Sequence, residues 1–289
     1  VTIAVCYVSP EGIVLGADST TTYGSLHFNN SQKLFEVGEN STLAMVTWGL
    51  GGLSVNSHRT LIALFDDDLK KKPPSSVKEV ADRWAAFFFA AYNDPTTPLA
   101  PFIAQCRALA AKPAHDPQNP QDPLARTDPE EKWLQEWRLN LVVGFCVAGY
   151  VMPDRSPAAF EVVFDPIATA PPTPAAKPHG YWFWGAPNMI QRLIFGCDEQ
   201  LKNSIVNSGK WNGTAGELEA LVSRHALDHP LVPIRDAIDF VHSCVSSTIK
   251  AFKFSNLAPI CGGPIEIGLI TTDRRFRWVQ HKLWDVAIS

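Results

Sequence analysis

The sequence lacks a long hydrophobic run, an excess of one charge and paired cysteines, and each absence removes a class of protein. No stretch reaches the roughly 18 uninterrupted apolar residues needed to span a bilayer, and no basic segment followed by an apolar run opens the chain. The cytoplasm is the expected compartment, where the Asn-x-Ser/Thr triplets at Asn29, Asn40 and Asn212 carry no glycosylation meaning. With 25 basic and 29 acidic residues the net charge is −4, so neither nucleic acid nor an anionic membrane is an expected partner. Six cysteines without C-x-x-C spacing, in a chain too large to need disulfide staples, read as reduced thiols. His225 and His229 are four apart, but no H-E-x-x-H accompanies them and a proline follows, so no metal is expected. The GLGG run at 49–52 is followed by neither G-K-[ST] nor G-x-x-G, no lipase-type G-x-S-x-G occurs, and no cofactor is called for.

What is present is 46% hydrophobic residues in 289, enough for a substantial core. VTIAVCY, GIVLGAD, KLFEVG and STLAMVT are short β-rich runs separated by turn residues, the pattern of antiparallel hairpins. The period then changes to helical, with Leu61, Leu64, Phe65 and Leu69 on one face, and Asp66, Asp67 and Asp68 each four residues before a lysine. Ser76 and Glu79 have capping-box spacing ahead of the stripe Val77, Val80, Ala81, Trp84 and Phe88. Residues 94–130 are dense in proline, which predicts a surface insertion with at most a short helix around Phe102 to Ala111. Strands are expected in LNLVVGFCVAGY, FEVVFDP and YWFWG, helices at about 188–208, 215–226 and 234–252, and last strands in GGPIEIGLITT and FRWVQ. A second proline-rich insertion lies near 166–178, and neither insertion reads as a boundary, so 1–289 is expected to be one domain. Strands, then helices, then strands again imply an α+β protein with segregated layers.

TIAVCYVSPEGIVLGADSTTTYG, QKLFEVGENSTLAMVTWG and the late GGPIEIGLIT together resemble proteasome β-subunits and the related bacterial threonine peptidase, members of the N-terminal nucleophile hydrolases. The resemblance is strongest over the first fifty residues and covers most of the chain outside the insertions. It implies a four-layer αββα sandwich, cleavage of peptide or amide bonds, and assembly into homo-oligomeric rings, with any unfoldase partner left open.

A threonine hydroxyl becomes a useful nucleophile when a base takes its proton, and the free α-amine of a terminal threonine is such a base in the same residue. The resemblance implies Thr2 as nucleophile, Lys33 as the ammonium that tunes its amine, Asp18 as the carboxylate that holds Lys33, and Gly49 as the oxyanion donor. Counting back from Asp18 places the family threonine at Thr2, and counting back from Lys33 places it at Val1; Thr2 alone has a hydroxyl. Removal of Val1 is then required, because a peptide bond turns the amine into an amide. Thr21 and Thr22 beside Asp18 are candidates for pairing with substrate backbone as an added strand, and the resemblance implies Met45 in the specificity pocket.

The sequence departs from the family where supporting polar groups are usual. Gly185 or Ala186 stands for one serine, Ala258 for an aspartate and Cys261 for a second serine, while Thr20 replaces the arginine that would pair with that aspartate. These losses favour the alternative of a catalytically degenerate structural or binding ring subunit. The pairing of Asp18 with Lys33 favours the hydrolase.

Overall fold

The computed structural model describes residues 2–23, 26–116, 118, 122–227, 229, 231–256 and 260–282. Among them the chain is mixed α/β. The strands are β1 (Ile3–Ser9), β2 (Gly12–Ala17), β3 (Thr21–Tyr23), β4 (Leu26–Phe28), β5 (Leu34–Glu36), β6 (Leu43–Gly49), β7 (Val143–Gly149), β8 (Ala158–Phe164), β9 (Ala175–Lys177), β10 (Gly180–Gly185), β11 (Glu266–Thr271) and β12 (Arg274–Gln280). The helices are α1 (His58–Lys71), α2 (Val77–Tyr92), α3 (Ala100–Ala110), α4 (Asp128–Leu141), α5 (Asn188–Phe195), α6 (Glu199–Val206), α7 (Ala215–Ser223) and α8 (Ile234–Lys253). Val1 and Ala258 lie outside the described residues. None of the described helices is long and apolar enough to cross a membrane. Contacts divide the chain into two compact units.

The first unit contains the chain up to Leu34, residues His179–Thr271 and the residues from Arg277 onward. Its sheet has the order β10-β1-β2-β11-β12, and the β10/β1, β1/β2 and β2/β11 pairs are antiparallel. Ile3, Val5 and Tyr7 of β1, Val14 of β2, and Ile267 and Leu269 of β11 pack with Ile190 and Ile194 of α5 and with Ala237, Val241, Cys244 and Val245 of α8. Alternate residues of β1 thus meet helices. Yet every residue of β1 and β2 is buried, which is why both read as continuous apolar runs rather than alternating ones. A Cβ at Gly16 would lie 2.5 Å from Val241 Cγ1, so glycine is what lets α8 seat this closely on β2.

The second unit contains Phe35–Pro178 and Thr272–Phe276, with the sheet order β5-β6-β7-β8-β9. Its core is aromatic: Trp84 and Phe88 of α2 meet Phe145 of β7 at ring-centroid separations of 4.9 and 4.8 Å, both edge-on. The proline-dense segment does more than lie over the surface. Its helix α3 buries Ile103, Cys106 and Leu109 in this core, and α4 adds Leu134 and Leu141. The residues Leu139–Leu141, expected to open a strand, instead finish α4. Thr127 accepts from the Glu130 amide and the Glu130 carboxylate accepts from the Thr127 amide, while Pro129 sits in the first turn, where its missing N–H is harmless.

Two other local expectations change in detail. Ser76 caps α2 by accepting from the Glu79 amide, but the Glu79 carboxylate turns to the amide and hydroxyl of Ser75 instead of completing the box. The helix expected over 188–208 is two helices. Gly196, at φ 74°, ends α5, and the Asp198 side chain caps α6. His225 lies beyond the end of α7, so His225 and His229 share no helix face; His229 stacks its ring edge on Phe240.

His58, at the start of α1, is buried against Phe88 and Phe145, and burial pushes its imidazole down to about 4. In the unfolded chain this group binds a proton below its ordinary value of 6.5. Stability therefore falls as pH drops from about 6.5 toward about 4, by at most about 3 kcal/mol for this group. Urea midpoints at neutral pH and near pH 4.5 should fall further for the parent than for His58→Leu; equal losses would contradict a buried neutral imidazole.

Candidate active site

The start of β1, the end of β2 and the approach to β5 meet within the first unit. β1 and β2 form a hairpin across the turn before Gly12, in which Ala4 is opposite Ala17. That register brings residue 18 beside residue 3. The Asp18 amide donates to the Ile3 carbonyl at 3.3 Å, and the Ile3 amide donates to Asp18 Oδ1 at 3.1 Å.

Asp18 is wholly buried, and four donors converge on its carboxylate. Oδ1 accepts from the Ile3 amide and from Lys33 Nζ at 2.8 Å; Oδ2 accepts from the Thr20 amide at 3.1 Å and the Gly262 amide at 3.0 Å. Such a carboxylate has replaced its hydration shell with protein donors, which is the condition for burying a charge. Lys33 is 5% exposed, and among the described residues Asp18 is its one hydrogen-bond partner. An ammonium has three donors. Among the described residues the other two have no partner, a costly arrangement for a buried cation.

Thr2 is 3% exposed and directly precedes the residue whose amide binds Asp18. Its carbonyl accepts from the Ala186 amide at 2.8 Å. Gly185, at φ 84°, is pressed against this residue, and a Cβ there would stand 1.8 Å from the Thr2 carbonyl oxygen. The glycine at that position is thus required by backbone approach as well as by a left-handed conformation. Any side chain at position 185 would collide with the Thr2 backbone.

The Cys261–Gly262–Gly263 segment contributes its backbone. Besides the Gly262 amide on Asp18, the Gly262 carbonyl accepts from the Ser19 amide at 2.9 Å, and Ser19 Oγ donates to the Pro264 carbonyl at 2.6 Å. Gly263, at φ 73°, allows the Asn29 carbonyl to approach where a Cβ would be 2.3 Å away. Thr20 donates its hydroxyl to Asn29 Oδ1 at 2.9 Å. Burial, reinforced by the Asp18 charge, pushes the Cys261 thiol up to about 12, so it is a packed group and not a nucleophile.

The other expected site residues sit as follows. Thr21 and Thr22 belong to β3, which pairs with β4 in a separate two-stranded ribbon, Thr21 opposite Phe28 and Thr22 opposite His27. One edge of β3 is taken by β4. In the second unit, Gly49 closes β6 at φ 85°, where a Cβ would be 2.2 Å from the Val142 carbonyl oxygen. Met45, also on β6, is fully buried in that unit's apolar core opposite Val147. The donors that sequence reasoning missed are the amides of Ile3, Thr20 and Gly262. The doubled glycine at 262–263 was the one signal that backbone must come close there. Among the described residues no cluster of three or more histidine, cysteine, aspartate or glutamate side chains is arranged to hold a metal.

No known family model matches this sequence, and no curated protein matches it either.

Removing the Asp18 carboxylate strands a buried ammonium. Asp18→Ala should cost about 3–5 kcal/mol in chemical denaturation. Combined with Lys33→Met it should cost less than the sum of the single changes, by about 1 kcal/mol or more. Additive effects would mean that the two side chains do not depend on one another.

Proposed function

We propose that this chain is a proteasome-like N-terminal threonine hydrolase that cleaves peptide or amide bonds through an acyl-enzyme, built on the four-layer αββα sandwich of N-terminal nucleophile hydrolases. The observation that carries the reading is the buried Lys33 ammonium held at 2.8 Å by Asp18, whose carboxylate also binds the Ile3 amide at the start of β1. In this scheme the working enzyme begins at Thr2. The Thr2 hydroxyl attacks the scissile carbonyl, and its proton passes to the α-amine of the same residue. A positive charge nearby disfavours protonation of that amine, which keeps it basic but neutral; Lys33 supplies the charge and Asp18 fixes its place. The oxyanion of the tetrahedral intermediate is assigned to the amide of Gly49. The protonated amine then gives its proton to the leaving amine, an ester to Thr2 remains, and water attacking the ester with the amine as base restores the hydroxyl and releases the acid. The free edge of β3 at Thr21 and Thr22 is offered to substrate backbone, and Met45 to the specificity pocket. Peptides or proteins are the substrates of this reading and a homo-oligomeric ring its assembly.

A second reading, a catalytically degenerate ring subunit with a structural or binding role, is favoured by Gly185 or Ala186, Ala258 and Cys261 standing where the resembling family has polar supports. Here the backbone takes over part of that support, through Gly262 on Asp18 and Ala186 on Thr2.

Intact mass and amino-terminal sequencing, followed by incubation with an epoxyketone or β-lactone, separate the two. The hydrolase reading expects protein beginning at Thr2, one covalent adduct on that residue, no adduct in Thr2→Ala, and labelling slowed about 100-fold or more in Lys33→Ala. A protein that begins at Thr2 and forms no adduct would establish the structural reading instead.

A further inference from the structure

Glu266 is the first residue of β11, opposite Ala17 and so one residue from the level of Asp18. It is wholly buried. Among the described residues neither of its carboxylate oxygens has a well-aligned hydrogen bond. What faces them is an imidazole and an ammonium: His281 Nδ1 lies 2.9 Å from Oε1, and Lys282 Nζ lies 3.3 Å from Oε2. Both come from the two residues that follow β12, and the His281 ring stacks on Trp278 of β12 with centroids 4.0 Å apart. A buried carboxylate whose compensation comes from one short segment is an anchor for that segment, since its departure would leave the charge uncompensated.

The same Lys282 ammonium reaches a second place. It donates to the carbonyls of Asn30 at 3.2 Å and Ser31 at 2.7 Å. Ser31 is two residues before Lys33, and its amide donates to the Ser19 carbonyl at 2.9 Å, next to Asp18. The loop that delivers Lys33 is therefore gripped from one side by the Asp18–Thr20 turn and from the other by Lys282, which is itself seated on Glu266.

We propose that Glu266 and Lys282 are positioning residues for Lys33: residues 281–282, which follow β12, are a strap, anchored on the buried Glu266, that holds the turn at residues 30–31 so that Lys33 meets Asp18. The role in catalysis rests on the hydrolase reading above. The mechanical role does not. Lys282 faces the anchor as an ion pair at 3.3 Å and donates to two carbonyls of the loop, so attachment of the strap and order of the loop are one equilibrium.

The test uses the full chain and amine acetylation with N-acetoxysuccinimide, followed by peptide mass spectrometry at Lys33. In Lys282→Met, acetylation of Lys33 should accelerate by about tenfold or more, while Lys282→Arg, which keeps donors for both partners, should stay within about twofold of the parent. Equal protection of Lys33 in Lys282→Met and the parent would overturn the strap, and so would a Lys282→Arg variant as open as Lys282→Met. If Lys282→Met does not fold, Glu266→Gln decides: it keeps volume and an acceptor but removes the anchoring charge, and an unchanged Lys33 rate there also overturns the proposal. For the catalytic consequence, β-lactone labelling of Lys282→Met should lose maximal rate with the half-saturating concentration unchanged. A parent that forms no adduct would defeat the hydrolase reading while the acetylation result still decides the strap.

Discussion

The first unit is organised around one buried carboxylate. Asp18 draws the backbone of three separate segments, through the amides of Ile3, Thr20 and Gly262, onto a single side chain, and adds the Lys33 ammonium. No apolar contact could do this, because packing tolerates shifts that a four-donor carboxylate does not. The site therefore gains its definition from a group that is costly to bury, and the cost is met by filling its lone pairs with protein donors.

Main-chain groups supply much of the remaining order around this carboxylate. Glycines bring main-chain groups close at three places. Gly185 admits the Thr2 carbonyl, and Gly262 and Gly263 admit Asp18 and Asn29. Small residues bring main-chain donors within reach, and main-chain donors are fixed in direction by the sheet that carries them. Cys261, packed beside them with its thiol held protonated, fills space and adds no competing charge.

Much of the chain was legible before any coordinates. The runs of β1, β2, β6, β7 and β11 are mostly apolar because nearly all of their residues are buried, and such runs announce themselves. The stripe of α2 and its Ser76 cap were equally plain. Helix α4 was hidden by Pro129 in its first turn and by the proline-dense segment before it. The capping pair Thr127 and Glu130 was there to be seen, but proline at the first turn looks like proline that breaks a helix until the cap is recognised. β3, β4 and β9, three residues each, were too short for any period to register.

The resemblance over the first fifty residues sufficed to single out Asp18 and Lys33 as a pair, and the structure places them 2.8 Å apart. Residue types and their order along the chain sufficed for the mixed α/β class. The amides of Ile3 and Gly262, the seat of Lys282 on Glu266, and the reason Gly185 is glycine belong to the folded chain alone. Main-chain groups are identical in every residue, so a sequence carries no mark of which of them will point at a given carboxylate; strand register and the meeting of segments more than two hundred residues apart make that choice.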